Sequence, residues 1–173
     1  MMIRMLLVVC LLGLFGCATT PKSTEGNQQD TLAKALAPFQ QRPELAPYFE
    51  QAKAYIVLPN NFRAGTGFGG AIGRGWLVVD GKVQSKVFHW QFLAGADLGF
   101  QLYKQILFLK DQAALDEFQG SVYQFAGQVN ATALLWGKGI TPSYHSGVAL
   151  FTLIDGGLLL EGSVGLHSYH ISD

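Results

Sequence analysis

Apolar residues along this chain recur with two periods, and the change from one to the other divides it. Between Asp30 and Gln41, Leu32, Ala35, Leu36 and Phe39 return at helical spacing, with Asp30 placed to cap the first turn. Pro43 suits the first position of a second helix that carries Leu45, Tyr48, Phe49 and Ala52 on one side, and Pro47 tightens or breaks its first turn. The polar sides of both helices mix charges and lack a lysine-rich stripe, the pattern of core-packing helices and not of helices lying on a membrane. Beyond Lys53 the pattern becomes that of strands.

Ala54 to Leu58 is a short apolar run stopped by Pro59-Asn60-Asn61, which predicts a turn. Then comes GTGFGGAIGRG, in which Gly65, Gly67, Gly69, Ala71, Gly73 and Gly75 occupy one register and Thr66, Phe68, Gly70, Ile72, Arg74 and Trp76 the other. In an extended chain the first register is nearly bare backbone. Glycine weakens a strand, so this ladder implies that another strand, a helix or a bound lipid comes very close to that face. Asp80-Gly81 separates Trp76–Val79 from Val83–Phe92, a strong hairpin signal. From Ala94 to Phe108 apolar residues fall on even positions, broken at Lys104, which marks a candidate turn. Asp111 opens a brief helix with Ala114, Leu115 and Phe118 inward and Gly120 at its end. Further strands are expected in 121–136 and 146–153, and Asp155-Gly156 returns the chain through Leu158 to Val164. The fold class is therefore α+β: a strongly twisted, glycine-rich antiparallel sheet or barrel-like shell, with N-terminal helices and one short internal helix.

The N-terminus adds a compartment. Arg4 precedes an apolar run from Met5 to Phe15, shorter than the roughly 20 residues of a membrane-spanning helix and suited to a signal-peptide core. The run ends Leu14-Phe15-Gly16-Cys17, which resembles the lipobox of bacterial lipoproteins, where the cysteine is acylated and the chain is cut before it. A plain secretory signal with an incidental cysteine is the less favoured alternative. Residues 1–16 are thus expected to be a signal peptide, 17–29 a flexible tether acylated at Cys17 with palmitate-type chains, and 30–173 a single domain. Ala18, in place of an aspartate, resembles an outer-membrane address facing the periplasm. Cleavage removes Cys10 and acylation occupies Cys17, which leaves no cysteine for a disulfide, a metal or catalysis. Arg4 is the only charged residue among 1–16, so its loss leaves 11 basic against the chain's 12 acidic residues. No global positive field draws the domain to nucleic acid, and any attraction to phosphate must be local.

AKAYIVLPNNFRAGTGFGGAIGRGWLVVDG (Ala52 to Gly81), followed by AGADLGFQ (Ala94 to Gln101), resembles the SYLF-domain family. The shared pattern falls on Ala52, Lys53, Pro59, Arg63, Gly65, Gly69, Gly70, Gly73, Gly75, Gly95, Ala96, Gly99 and Gln101, and extends more loosely over about residues 32–165. Two segments depart from it: His89-Trp90-Gln91-Phe92 replaces a Trp-Ser-x-Pro stretch, and Glu161 stands where glycine is common. The resemblance implies a domain that binds membrane phospholipid, with phosphoinositides and sometimes actin as the ligands of eukaryotic relatives. A head group needs basic donors near exposed backbone amides, and acyl chains need apolar contacts. Arg63 and Arg74 flank the bare segment and Lys53 precedes it, with Trp76 or Phe68 as acyl-side contacts and Lys138, in a glycine-rich loop, as a weaker candidate. The simpler roles are solvated charge for the cations and core packing for Phe68. The competing expectation is an envelope structural protein whose glycine-lined face takes a partner strand or a second copy.

Sharper motifs fail on context. Gly65 to Gly70 satisfies G-x-G-x-x-G, but the glycine-rich continuation cannot sustain the helix a dinucleotide site needs, so no nucleotide cofactor is expected. His167 and His170 lack further ligands at a zinc spacing and read as part of a polar C-terminal tail; no metal is expected. Asp97 has no catalytic partner in sequence, and Ser163 is preceded two residues earlier by Glu161, which excludes a nucleophile elbow. No nucleophile and base pair is named, so the chain reads as a binding protein and not an enzyme.

Overall fold

The computed structural model describes residues 24–120, 123–126, 132–134, 144, 146–154 and 163–172. The chain divides into two compact units, Met1–Leu32 and Ala33–Asp173. Helix α1 (Thr24–Gln40) begins in the first unit, earlier than the Asp30 cap that the sequence suggests. Glu25, Gln28 and Gln29 are good helix formers, and the Thr31 hydroxyl donates to the Asn27 carbonyl at 2.7 Å, so the polar residues from Thr24 join the helix. Residues 17–23 of the expected tether, with Cys17, lie outside the described residues. A single 3₁₀ turn, Pro43–Leu45, then leads into α2 (Ala46–Gln51), where Pro47 occupies the first turn.

Strands β1 (Ala54–Val79) and β2 (Lys82–Leu109) make one long antiparallel hairpin. Asp80 and Gly81, with φ of 50° and 74°, turn it as the two left-handed residues of a type I′ turn. Pro59-Asn60-Asn61 does not end the first strand as expected. It forms a bulge, seen as a register shift between Leu58 and Asn61, and proline is tolerated there because, among the described residues, β1 is an edge strand paired only with β2. Lys104 does not turn the chain either; it continues β2, opposite Leu153.

A straight strand of this length would reach roughly 85 Å at about 3.3 Å per residue. Yet Lys53, just before β1, holds its Nζ 3.6 Å from Oδ1 of Asp80, just after it. The strand therefore doubles back, and the glycine ladder is what allows it. A side chain on Gly69 would come within 2.5 Å of the Ala64 carbonyl oxygen; one on Gly73 would overlap the Asn61 carboxamide, and one on Gly75 the Val57 carbonyl. The contacts step away from the bend in order, Gly69 on Ala64, Gly73 on Asn61, Gly75 on Val57. The close neighbour that the ladder implies is the first half of the same strand. β2 bends at the same level: Gly67 lies opposite three residues, Gly95 to Asp97, and Gly99 adopts φ 115°, open to glycine alone at little cost.

Each half of the folded hairpin recruits its own strands. Lys86 to Gly95 of β2 pairs with β6 (Ser163–Ser172), which carries β3 (Tyr123–Ala126). Tyr103 to Leu109 pairs with β5 (Val148–Ile154), which carries β4 (Thr132–Leu134). Among the described residues only the short β4–β5 pairing is parallel. The result is α+β with a bent six-stranded sheet, and among the described residues it is open, not a closed barrel. β6 runs to Ser172, so the residues read as a polar tail are a strand; Asp155-Gly156 lies outside the described residues.

Helix α3 (Gln112–Gln119) is capped by Asp111, whose Oδ1 accepts from the Ala114 N–H at 3.0 Å, and Gly120 follows its end. Its Ala114, Leu115 and Phe118 join Ile56, Leu58, Leu107, Leu109 and Leu150 in the core. On the other side Tyr48 of α2 sets its ring 4.7 Å from Phe151 and 5.5 Å from Phe108, and Phe49 stands edge-on to Phe108 at 4.9 Å. The first half of the hairpin is thus covered on both faces, which explains its unbroken apolar runs. Replacing Gly75 by alanine is expected to lower the urea-unfolding midpoint strongly, by about 1–3 kcal/mol or more of overpacking, whereas the exposed Ile72→Ala leaves the midpoint nearly unchanged.

Candidate functional site

Around the bend the two faces of the hairpin have opposite chemistry from what a sheet in water shows. From Asn61 to Leu77 odd residues turn inward and even residues outward, and β2 repeats this from Val87 to Phe92. Inward stand Asn61, Arg63, His89 and Gln91, and β6 adds His167 and Tyr169, all buried. Outward stand Phe62, Phe68, Ile72, Phe88, Phe92, Phe100, Leu102 and Leu166, all exposed.

The inner cluster is ordered by hydrogen bonds and stacking. Gln91 Nε2 lies 3.0 Å from His167 Nε2, and His167 Nδ1 lies 3.3 Å from His89 Nε2. With the Gln91 amide donating, His167 carries its proton on Nδ1, passes that hydrogen bond to His89 Nε2, and leaves the His89 proton on Nδ1. That Nδ1 is buried and has no hydrogen-bond partner among the described residues. The His89 ring stacks on Tyr169 at 4.5 Å. Burial, and then the neighbouring His167, push the His89 pKa down to about 3. Burial, and then the Arg63 charge, push that of His167 down to about 4. Both rings are neutral in the folded protein at any ordinary pH.

The outer face carries a cleft of about 820 Å³, within the usual range of ligand pockets. Pro59, Phe62, Ile72, Trp76, Phe88 and Leu102 supply apolar walls, and Arg74 and Lys86 supply cations. The register explains the grouping: Arg74 is opposite Phe88, Trp76 opposite Lys86 and Phe62 opposite Leu102. The halves of the hairpin thereby bring residues from four stretches of sequence to one surface.

The expected site residues separate accordingly. Arg74 and Trp76 line the cleft; Phe68 is 72% exposed on the same outward register, so it is not a core residue. Arg63 is buried on the inward face, beside His167, and cannot share a surface with Arg74. Lys53 sits at the far end of the hairpin with Asp80. Lys138, Cys17 and the side chain of Asp97 lie outside the described residues. Sequence reasoning missed Lys86, Phe88 and Leu102. Even parity in β2 was the available signal for Lys86 and Phe88, since it continues Arg74 and Trp76 across the Asp80-Gly81 turn. His167 was missed because its partners are on β2, distant in sequence.

No protein-family model matches the chain. It is similar to beta cell expansion factor A of Aeromonas veronii, at 24% identity over 140 residues, 77% of this chain and 51% of that protein. The chain thus spans about half the length of the curated relative it matches. Among the described residues no helix is long and apolar enough to cross a membrane.

The buried histidines set a pH dependence. Unfolded histidine titrates near 6.5, so as pH falls below that value the unfolded chain binds protons that the folded rings refuse until about pH 4 and 3. Stability is therefore full above about pH 7 and falls through this window, by up to about 1.4 kcal/mol per pH unit for each ring. Urea midpoints taken across the window are expected to show this, and His89→Phe, which keeps a ring on Tyr169, is expected to reduce the slope by about half.

Proposed function

We propose that this chain is an envelope lipoprotein, anchored through Cys17 and facing the periplasm from the outer membrane, whose folded domain binds membrane phospholipid. The observation that carries this reading is the coincidence, on one outward face, of an apolar cleft with two cations. Arg74 and Lys86 lie beside Phe62, Ile72, Trp76 and Phe88. The sequences of β1, β2 and β6 contain a single acidic residue, Asp97. A phosphate held by guanidinium and ammonium groups, with acyl chains along the aromatic wall, satisfies both halves of the site. The SYLF-like spacing of Arg63, the glycine ladder and Gly95 to Gln101 supports the same class of ligand.

Of the residues named for this role, Arg74, Trp76 and Phe68 keep it, and Lys86 joins them. Arg63 becomes an internal residue, placed to hold the inner cluster and not to meet a head group. The reading involves no catalytic step, metal, nucleotide or nucleic acid. An assembly role, with an envelope protein or a second copy as partner, would use the outer apolar face, because β1 itself covers the glycine positions at Gly69, Gly73 and Gly75.

The test is flotation of the chain from residue 17 onward, with Cys17→Ser, on neutral and anionic liposomes at low and high salt. Co-flotation that requires anionic lipid and fades with salt is expected. Arg74→Glu is expected to weaken it about tenfold or more, the size of a lost charge-assisted contact, while circular dichroism stays unchanged. Absence of co-flotation on every composition, with Arg74→Glu instead shifting the oligomer distribution in light scattering, would favour assembly.

A further inference from the structure

The cleft is one part of a larger apolar surface, and the rest of that surface has no role in gripping a single head group. Phe100 is 82% exposed, Phe68 72%, Leu102 58%, Ile72 55% and Phe92 53%, and Leu166 pairs beside Phe92. Solitary exposed apolar residues are ordinary; a set of large ones gathered by strand register at one bend marks a contact surface. Its position is specific. Phe68 sits in the bend, Phe92 pairs with Gly70, Phe100 with Ala64 and Leu102 with Phe62, so the group surrounds the bent end of the hairpin. Lys53 and Asp80 occupy the opposite end.

Beneath this surface the inward residues are Arg63, Gln91 and His167, all buried. Apolar outside and polar inside is the alternation of strands that face lipid, the reverse of a half-solvated sheet. The charges give the orientation. Arg74 and Lys86 follow the apolar group on the same face, farther from the bend, in the arrangement of cations that stay at the phosphate level while neighbouring apolar groups sink below it. A second copy of the chain is the poorer occupant, because β1, β2 and β6 together carry a single acidic residue, Asp97, to answer these cations in a self-paired face.

We infer that the bent end of the β1–β2 hairpin inserts its outward aromatic side chains into the upper acyl layer of an anionic bilayer, with Arg74 and Lys86 at the phosphates. This rests on the phospholipid reading above and adds the mode of contact. Depth is limited by the backbone. Among the described residues β1 is an edge strand, and the N–H and C=O groups of a free edge cannot enter hydrocarbon without a large penalty. Only the side chains enter, to about 5–10 Å, as for other interfacial elements.

The experiment places a polarity-sensitive fluorophore on Phe100→Cys, on Phe92→Cys and, for comparison, on Glu117→Cys of the exposed face of α3, each in the chain from residue 17 onward with Cys17→Ser. The probes are anionic liposomes whose lipids carry a spin label near the ester end or midway along the acyl chain. Expected are a blue shift and quenching at positions 100 and 92, stronger from the shallow label than from the deep one, with neither at 117. Labels at 100 and 92 that stay as solvent-exposed as that at 117, while the chain still co-floats, would overturn insertion and leave lipid binding standing. Stronger quenching from the deep label would overturn the shallow limit. Silent labels together with no co-flotation would overturn insertion and the lipid reading alike.

Discussion

The structure depends on backbone meeting backbone where side chains are missing. Gly69, Gly73 and Gly75 let the second half of β1 lie directly on its first half, against Ala64, Asn61 and Val57. Without that contact the hairpin would remain an extended two-stranded ribbon, marginal in water. With it, the hairpin is bent into two halves, and each offers an edge of β2 on which β5 or β6 pairs. The α3 core forms because Leu77 and Val87 of one half reach Ile56, Leu58 and Leu107 of the other. The entropic cost of six small residues in a strand is offset by the core that the fold in the strand creates.

The same bend explains the polar interior. Near the core end the inward positions are Ile56, Leu58, Leu77 and Val87; toward the bend they become Asn61, Arg63, His89 and Gln91. The halves approach so closely at the glycines that bulky aliphatic side chains cannot be interleaved there, and the inward groups are planar polar ones that stack and exchange hydrogen bonds. His89 lies flat on Tyr169 and accepts a hydrogen bond from His167, which in turn is fixed by Gln91. A cluster of this kind tolerates little rearrangement, because each member's hydrogen bond determines its neighbour's tautomer.

Much of this was legible in the residues, and the failures have identifiable causes. The type I′ turn at Asp80-Gly81, the Asp111 cap and the inward Ala114, Leu115 and Phe118 follow from local chemistry, which the fold leaves undisturbed. The ladder correctly announced a close approach but could not name the neighbour, since a strand folding onto itself leaves no periodic mark distinct from one receiving a guest. Pro59-Asn60-Asn61 carries a strong turn signal; edge position and a bulge accommodate it within the strand. In Ala94 to Phe108 the period of two was right while the direction was not predictable: Phe100 and Leu102 face out, Ile106 and Phe108 face the helices.

Parity is the lesson for the site. Arg63 shares the register of the glycines, and Arg74 shares that of Phe68 and Ile72, so their separation onto opposite faces was already implied by counting along β1. Carrying the count across the turn joins Lys86 and Phe88 to Arg74, and excludes His89 and Gln91 from the outer surface. What counting cannot supply is coverage. Helices α2 and α3 shield the half of the hairpin near Ala54 and Leu109 and leave the half near the bend bare. An apolar strand face in one half therefore makes core, and the same alternation in the other half leaves its phenylalanines exposed.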